Sequence, residues 1–217
     1  VVPLFALFFF ESVVVSWTTV PDLRLDHRNA FDLRGRIRTV MAGTAQSSGK
    51  VAAATIRPFC RETDESQLVE LVQELQQHEL KLYSRMKPPS EIGRSYVDNL
   101  CKECQEHHGR ILVAVDCEEA ASSNLVGYAC VLTRVQSENK DEIPYTYGEV
   151  TDLAVSEQAR GKGIGRALLT ACEDLVRENS DVKYLRTSVL ARNSGALAAY
   201  QKYGFEEHLV EMEKRLE

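Results

Sequence analysis

Between Glu149 and Arg166 an apolar run ends at Val155, a short polar turn follows, and glycines recur at 161, 163 and 165 directly before an amphipathic stretch. Nothing else in the chain restricts the fold as much. Glycine lets a backbone approach a ligand closely and adopt conformations closed to other residues. The first N–H groups of a helix lack internal partners and lie at its positive dipole end. A strand running through such a turn into a helix therefore makes a pocket for a phosphate or diphosphate, and Arg160, Lys162 and Arg166 add cations beside it. A tight turn that merely needs glycine is the plainer reading. A dinucleotide fingerprint requires GxGxxG, and position 166 is Arg. A second glycine-containing stretch, Gly43 to Lys50, imitates a P-loop, but its spacing is one residue too long and Val51 replaces the required hydroxyl.

The flanking pattern predicts a mixed sheet. A short strand over 54–57 stops at Pro58. Asp64 with Gln67 reads as a capping box opening a helix, continued by Leu68, Leu71, Val72 and Leu75. Pro88 and Pro89 break the chain, and a second helix is expected over 91–107 with Gly109 past its end. Strands are expected over 111–117, 125–134 and 147–155. Their turn signals are residues 122–124 and 137–144. A helix over 164–178 carries Ala167, Leu168, Ala171, Leu175 and Val176 on one face. A strand over 184–191, a helix over 194–203 stopped by Gly204, and a last strand over 205–216 complete the order β-α-α-β-β-β-α-β-α-β. The fold class is α+β in one domain, and helices preceding consecutive strands exclude the alternating dinucleotide-binding architecture.

Composition narrows function further. The 217 residues are 44% hydrophobic and 27% charged, which excludes a wholly disordered or multi-span membrane chain. A net charge of −6 argues against nucleic-acid binding and leans towards cationic partners such as amines. Six cysteines are too sparse for a disulfide scaffold. Cys60, Cys117, Cys130 and Cys172 read as reduced core residues, whereas Cys101 and Cys104 with His107 and His108 suggest zinc. No second CxxC completes such a site, so no metal is expected, and a helix carrying these residues by chance is the preferred reading. Residues 1–20 are the most apolar stretch, interrupted by Glu11 and Ser12. They lack the basic start and small-residue cleavage site of a secretory signal. The first methionine is Met41, so residues 1–40 are expected to lie upstream of the working protein, with a membrane anchor as the alternative. Residues 1–50 are assigned to an N-terminal extension and 51–217 to the functional domain.

Gln158-Ala-Arg-Gly-Lys-Gly-Ile-Gly165 resembles the [QR]xxGx[GA] motif of the GNAT superfamily of acyl-CoA N-acyltransferases, and Leu153-Ala-Val155 resembles its strand β4. Downstream, Asn193 opening a helix, Tyr200 two turns later and the closing Gly204-Phe205 resemble the family's second motif. The match spans about Thr55 to Leu216 and includes the element order. It implies a GNAT-type fold, a mixed central sheet flanked by helices and splayed between β4 and β5. It also implies N-acetyl transfer from acetyl-CoA to a primary amine by direct attack in a ternary complex. The alternative is an acyl-CoA-binding regulatory module without turnover. A cytoplasmic setting is expected, with no membrane or nucleic-acid partner, and a homodimer is compatible with the family.

The resemblance also implies residue roles. The diphosphate would rest on the amides of Arg160, Gly161, Lys162, Gly163, Ile164, Gly165 and Arg166, next to Gln158. The pantetheine arm would pair with the backbone of Leu153, Ala154 and Val155, and Asn193 would reach it from the next helix. An alkyl ammonium is protonated at neutral pH and cannot attack until a base removes a proton. Glu149 matches the position where histone-modifying members place theirs. Asp152 is the alternative, expected on the opposite face because strand side chains alternate. The N–H of Leu153 or Ala154 is the candidate oxyanion donor. Tyr200, seven positions after Asn193 and so on the same helix face, matches the family's general acid. Tyr203 reads as a core aromatic. His78, His107 and His108 fall in the region that shapes the acceptor pocket, though surface positions explain them equally well.

Overall fold

The computed structural model describes residues 54–116 and 124–216. The extension over residues 1–50, the glycine stretch at 43–50 and Cys117 lie outside the described residues. Five strands, β1 (Ala54–Pro58), β2 (Arg110–Asp116), β3 (Leu125–Gln136), β4 (Thr146–Val155) and β5 (Leu185–Thr187), form one sheet in sequential order. The first four pair antiparallel and β4–β5 pair parallel. Four α-helices, α1 (Arg61–Leu82), α2 (Arg94–Glu106), α3 (Ile164–Arg177) and α4 (Ser194–Tyr203), flank it.

The sheet separates two apolar layers. On one face Leu112, Ala114, Ala129, Val131 and Val150 meet Ile164, Leu168, Leu169 and Cys172 of α3. On the other, Ile111, Val113, Tyr128, Cys130 and Leu132 meet Leu68 and Val72 of α1 and Val97 and Leu100 of α2. Successive residues of β2 thus go to opposite layers, which is why that strand reads as a continuous apolar run. Among the described residues no helix is long and apolar enough to cross a membrane.

Several local expectations need correction. Asp64 does not cap α1: the cap position is Cys60, and Asp64 lies in the first turn with its side chain fully buried. It accepts from the Cys60 N–H at 2.8 Å and from both terminal nitrogens of Arg57, at 2.5 and 2.8 Å. Gln67 does not close a capping box; its side-chain oxygen accepts from the Leu125 N–H at 2.8 Å, tying α1 to β3. After α2 the left-handed residue is His108, at φ 54°, not Gly109. Gly109 is there for close approach instead, since a Cβ would lie 2.4 Å from the Val131 carbonyl oxygen. Residues 205–216 form no strand, and β5 is three residues long. The exposed chain after α4 leaves Leu209, Val210 and Met212 in solvent, so its apolar content never found a sheet partner. Cys130 and Cys172 are buried as read, but Cys60 is exposed.

Candidate active site

Strand β4 organises the site because it is irregular. Along β3, Cys130 stands opposite Asp152 while Val131 stands opposite Val150, so Thr151 is an extra residue, a β-bulge. Side chains opposite one another share a face of the sheet. Glu149, opposite Leu132, and Asp152, opposite Cys130, therefore both face α1 and α2, where Leu132 and Cys130 are packed. The expectation that they face opposite ways fails, because strict alternation holds only until the bulge inserts one position.

The bulge also sorts the backbone. Ser156 N–H bonds the Val126 carbonyl at 3.0 Å. An antiparallel ladder alternates, so Asp152 and Ala154 turn their backbone groups to β3 while Leu153 and Val155 turn theirs to the other edge. That other edge is open. Strand β5 pairs only with Gly148, Glu149 and Val150 and ends at Thr187, whose hydroxyl donates to the Val150 carbonyl at 3.0 Å. From Thr151 onward the two strands have parted, which is the expected splay. Leu153 presents its main-chain groups to it, and Val155 its N–H. Ala154 does not, so it drops out both as an oxyanion donor and as a main-chain partner for an extended ligand. The Arg160 side chain donates to the Val155 carbonyl at 3.1 Å and stands 3.7 Å from Glu74 of α1.

Beyond Val155 a short 3-10 turn, Glu157–Ala159, carries Gln158 in solvent and leads to the glycines. Gly161 and Gly163 have φ of 76° and 80°, in the left-handed region where a Cβ is penalised. A Cβ on Gly161 would find no atom within 4 Å, so the turn is open to solvent and not packed beneath other elements. The first amide bonded back along α3 is Ala167, to the Gly163 carbonyl at 3.0 Å. The amides of Ile164, Gly165 and Arg166 precede it and have no intrahelical partner. The Ile164 side chain is buried in the α3 layer, so only its amide faces out. Arg160, Lys162 and Arg166 are exposed around the turn, and Arg166 stacks over Tyr203 at 5.6 Å. Together these residues fit an extended ligand bearing a diphosphate: free edge amides, then a cationic turn of unpaired N–H groups.

On the far side of the splay, Asn193 caps α4, its side-chain oxygen accepting from Ala196 N–H at 3.1 Å. Tyr200 packs against the α3-side layer, with its ring 5.4 Å from that of Phe205. Burial raises its pKa, against the opposing effect of a hydrogen bond with Thr187. Tyr203 bonds Glu173 at 2.6 Å and packs at the edge of the same layer.

The carboxylates on the α1/α2 face differ in setting. Asp152 is 8% exposed, and burial lifts its carboxyl from the ordinary 3.8 to about 6, although hydroxyls of Tyr96 and Tyr128 bond it. Tyr96 of α2 donates to both oxygens, at 3.0 and 3.2 Å, and Tyr128 of β3 to one, at 3.3 Å. Burial also raises Glu149, with Glu103 adding repulsion and His107 opposing. Glu79 of α1 is raised by burial and by Asp152. Sequence reasoning did not find Tyr96, Tyr128, Glu79, Glu103 or Thr187. A tyrosine within an apolar strand reads as packing, and no local signal links Tyr96 to a carboxylate 56 positions away. Cys104 turns its sulfur to Cys130 of β3 at 3.5 Å, and Cys101 packs against the same layer.

Residues 68–205 match the model of the acetyltransferase (GNAT) family. No curated protein matches the chain by sequence. Among solved structures the chain is similar to the tetramutant of the BH1408 protein from Bacillus halodurans, at 22% identity over 74% of this chain and 99% of that one, TM-score 0.63. It is similar to a transcriptional regulator from Bacillus halodurans C-125, at 17% identity over 75% and 99%, TM-score 0.55. An acetyltransferase of Trypanosoma brucei aligns at 18% identity over 75% and 99%, TM-score 0.53. At such identities these three likenesses speak to the fold.

Proposed function

The chain belongs to the GNAT acetyltransferase family, which moves acyl groups from acyl-CoA, and we propose that here the acyl group is acetyl and the acceptor a primary amine attacking directly in a ternary complex. The observation that carries this reading is the parting of β4 from β5 beyond Thr187, on the same strand that leads into the open, cationic turn of unpaired amides before α3.

The amides of residues 161–166 with Arg160, Lys162 and Arg166 would hold the diphosphate of acetyl-CoA, with Gln158 beside them. Leu153 and Val155 would pair with the amide-bearing arm, and the Asn193 side-chain nitrogen, left over from capping, would bond it from α4. Bound there, acetyl-CoA supplies an activated thioester carbonyl.

The acceptor enters as an ammonium, with a pKa near 10.4, and needs a proton removed before its nitrogen can attack. A carboxylate on the α1/α2 face of β4 takes that proton. The freed nitrogen forms a bond to the thioester carbon, the carbon–sulfur bond breaks, and the sulfur leaves with the electron pair. Leu153 N–H, unused by β3, stabilises the negative charge that gathers on the carbonyl oxygen meanwhile. Tyr200, held neutral by burial, donates its proton to the departing sulfur and regains one from the new amide nitrogen through solvent. Amide, free thiol and one proton result. No step calls for a covalent enzyme intermediate, since the amine itself is the nucleophile.

Thiol release from acetyl-CoA across a panel of small amines, amino acids and lysine peptides tests the proposal. One or more amines should release stoichiometric thiol and appear as the acetamide by mass spectrometry. Acetyl-CoA that raises the melting temperature while no amine releases thiol would establish a binding module instead.

A further inference from the structure

We infer that Asp152, rather than Glu149, takes the proton from the acceptor, and that Tyr96 and Tyr128 are the positioning residues that hold its carboxylate at the opening of the sheet; this rests on the acetyl-transfer reading above. Both carboxylates face α1 and α2, so facing does not choose between them. Position along β4 does. Glu149 stands opposite Arg186, where β5 is still hydrogen-bonded to β4 and closes the edge. Asp152 lies past the last pair, Val150 with Thr187, where the strands have separated and the neighbouring Leu153 has its main-chain groups free. The charge of Asp152 is also felt at Tyr200, the proton donor, and at Glu79 of α1. Glu149 interacts with Glu103 and His107 at the far end of α2.

A nearly buried carboxylate without partners would protonate or turn away. Every element around Asp152 contributes to its setting. Glu79 from α1 and Glu103 from α2 repel its charge, Cys130 of β3 stands opposite it, its charge is felt at Tyr200 of α4, and Tyr96 and Tyr128 donate hydrogen bonds from two different elements. Two donors on separate elements fix both the ring-to-carboxylate distance and the plane of the carboxyl group. Tyr96 reaches both oxygens, so it sets that plane, while Tyr128 bonds one oxygen from beneath, within the sheet. Burial, with help from Glu103, raises the proton affinity into the range useful for a base near neutrality, and the two hydroxyls keep it from rising further.

The test is the pH dependence of kcat/KM with an amine that thiol release identifies. Wild type should show a limb falling on the acid side. Tyr96→Phe should move that limb to higher pH by about one unit, because a bond to the charged form is lost. Tyr128→Phe, an independent variant should the first fold poorly, should move it the same way by less. Asp152→Asn should remove the limb and lower the rate by about a hundredfold or more, whereas Glu149→Gln should keep the limb in place. An unmoved limb in both tyrosine variants, with rates lowered equally at every pH, would reduce the tyrosines to packing. Loss of the limb in Glu149→Gln alone would return the base to Glu149. Carboxyl carbon NMR titration of Asp152 in wild type and the tyrosine variants needs no turnover. If no amine is acetylated, the transfer reading and the base fail together, while the titration still decides whether the hydroxyls hold the carboxylate.

Discussion

Gly161 offers a measurement in which backbone conformation and side-chain bulk make opposite predictions. Its φ is 76°, and a Cβ added there would meet no protein atom within 4 Å. Any cost within the protein is therefore conformational and not a clash. A left-handed residue other than glycine costs about 1–2 kcal/mol, less for Asn and more for a β-branched residue. The expected order of damage is then Asn, Ala, Val, although Asn is larger than Ala. If the turn keeps its shape in the free protein, the penalty lowers the melting temperature by roughly 2–8 °C for a domain of this size. If the turn relaxes instead, stability is unchanged and the same free energy weakens CoA binding by roughly 5–30-fold. Calorimetric melting and CoA titration of the three variants together recover it. An order following size, with Ala mildest, would show that the side chain collides with the ligand. Three variants indistinguishable from wild type in both assays would remove the turn from the binding site.

Tyr200→Phe should lower kcat by about a hundredfold or more while CoA affinity stays within a few-fold, because only the proton to the leaving sulfur is lost; equal loss of both in steady-state and binding assays would make it a packing residue. Arg57→Ala removes the cationic partner of a fully buried carboxylate, Asp64, leaving it the Cys60 N–H and the Thr63 hydroxyl, and should cost about 3 kcal/mol; a urea midpoint near that of wild type would refute this. Asp152→Asn should stabilise the fold at alkaline pH. Because its folded pKa is raised, the stability it contributes is complete below its ordinary 3.8 and is lost as pH climbs through about 6, a difference of roughly 3 kcal/mol. Melting at pH 8 should therefore favour the Asn variant and melting at pH 4 should not; a pH-independent difference would contradict the linkage.

Much of this architecture was legible because it is local. Strands β2, β3 and β4, helix α3, the positive turn before it and the Asn193 cap each follow from a run of residues whose neighbours in sequence are neighbours in space. What was missed depends on partners far along the chain. Asp64 looked like a cap because Asp and Gln three apart suit one, but Arg57 and the Cys60 amide claim the carboxylate from the inside. The run over 205–216 carries strand-forming residues, yet a strand needs an edge to pair with, and no pattern within the run says whether one is offered. The relative facing of Glu149 and Asp152 was misread for a third reason. Periodicity assumes a constant step, and a bulge is a break in the step that no residue type announces.

Thr151 has a further consequence for how the cleft came to be there. Excising that residue would let Asp152 follow Val150 directly, opposite Cys130, with every side chain of β4 still pointing as it does now. What would be lost is the kink. A straightened strand would go on offering its edge in step with β5, and the two could zip shut along Leu153 and Val155. The opening that admits a co-substrate is thus worth a single amino acid of surplus length, placed at the point where one strand must lean away from its neighbour.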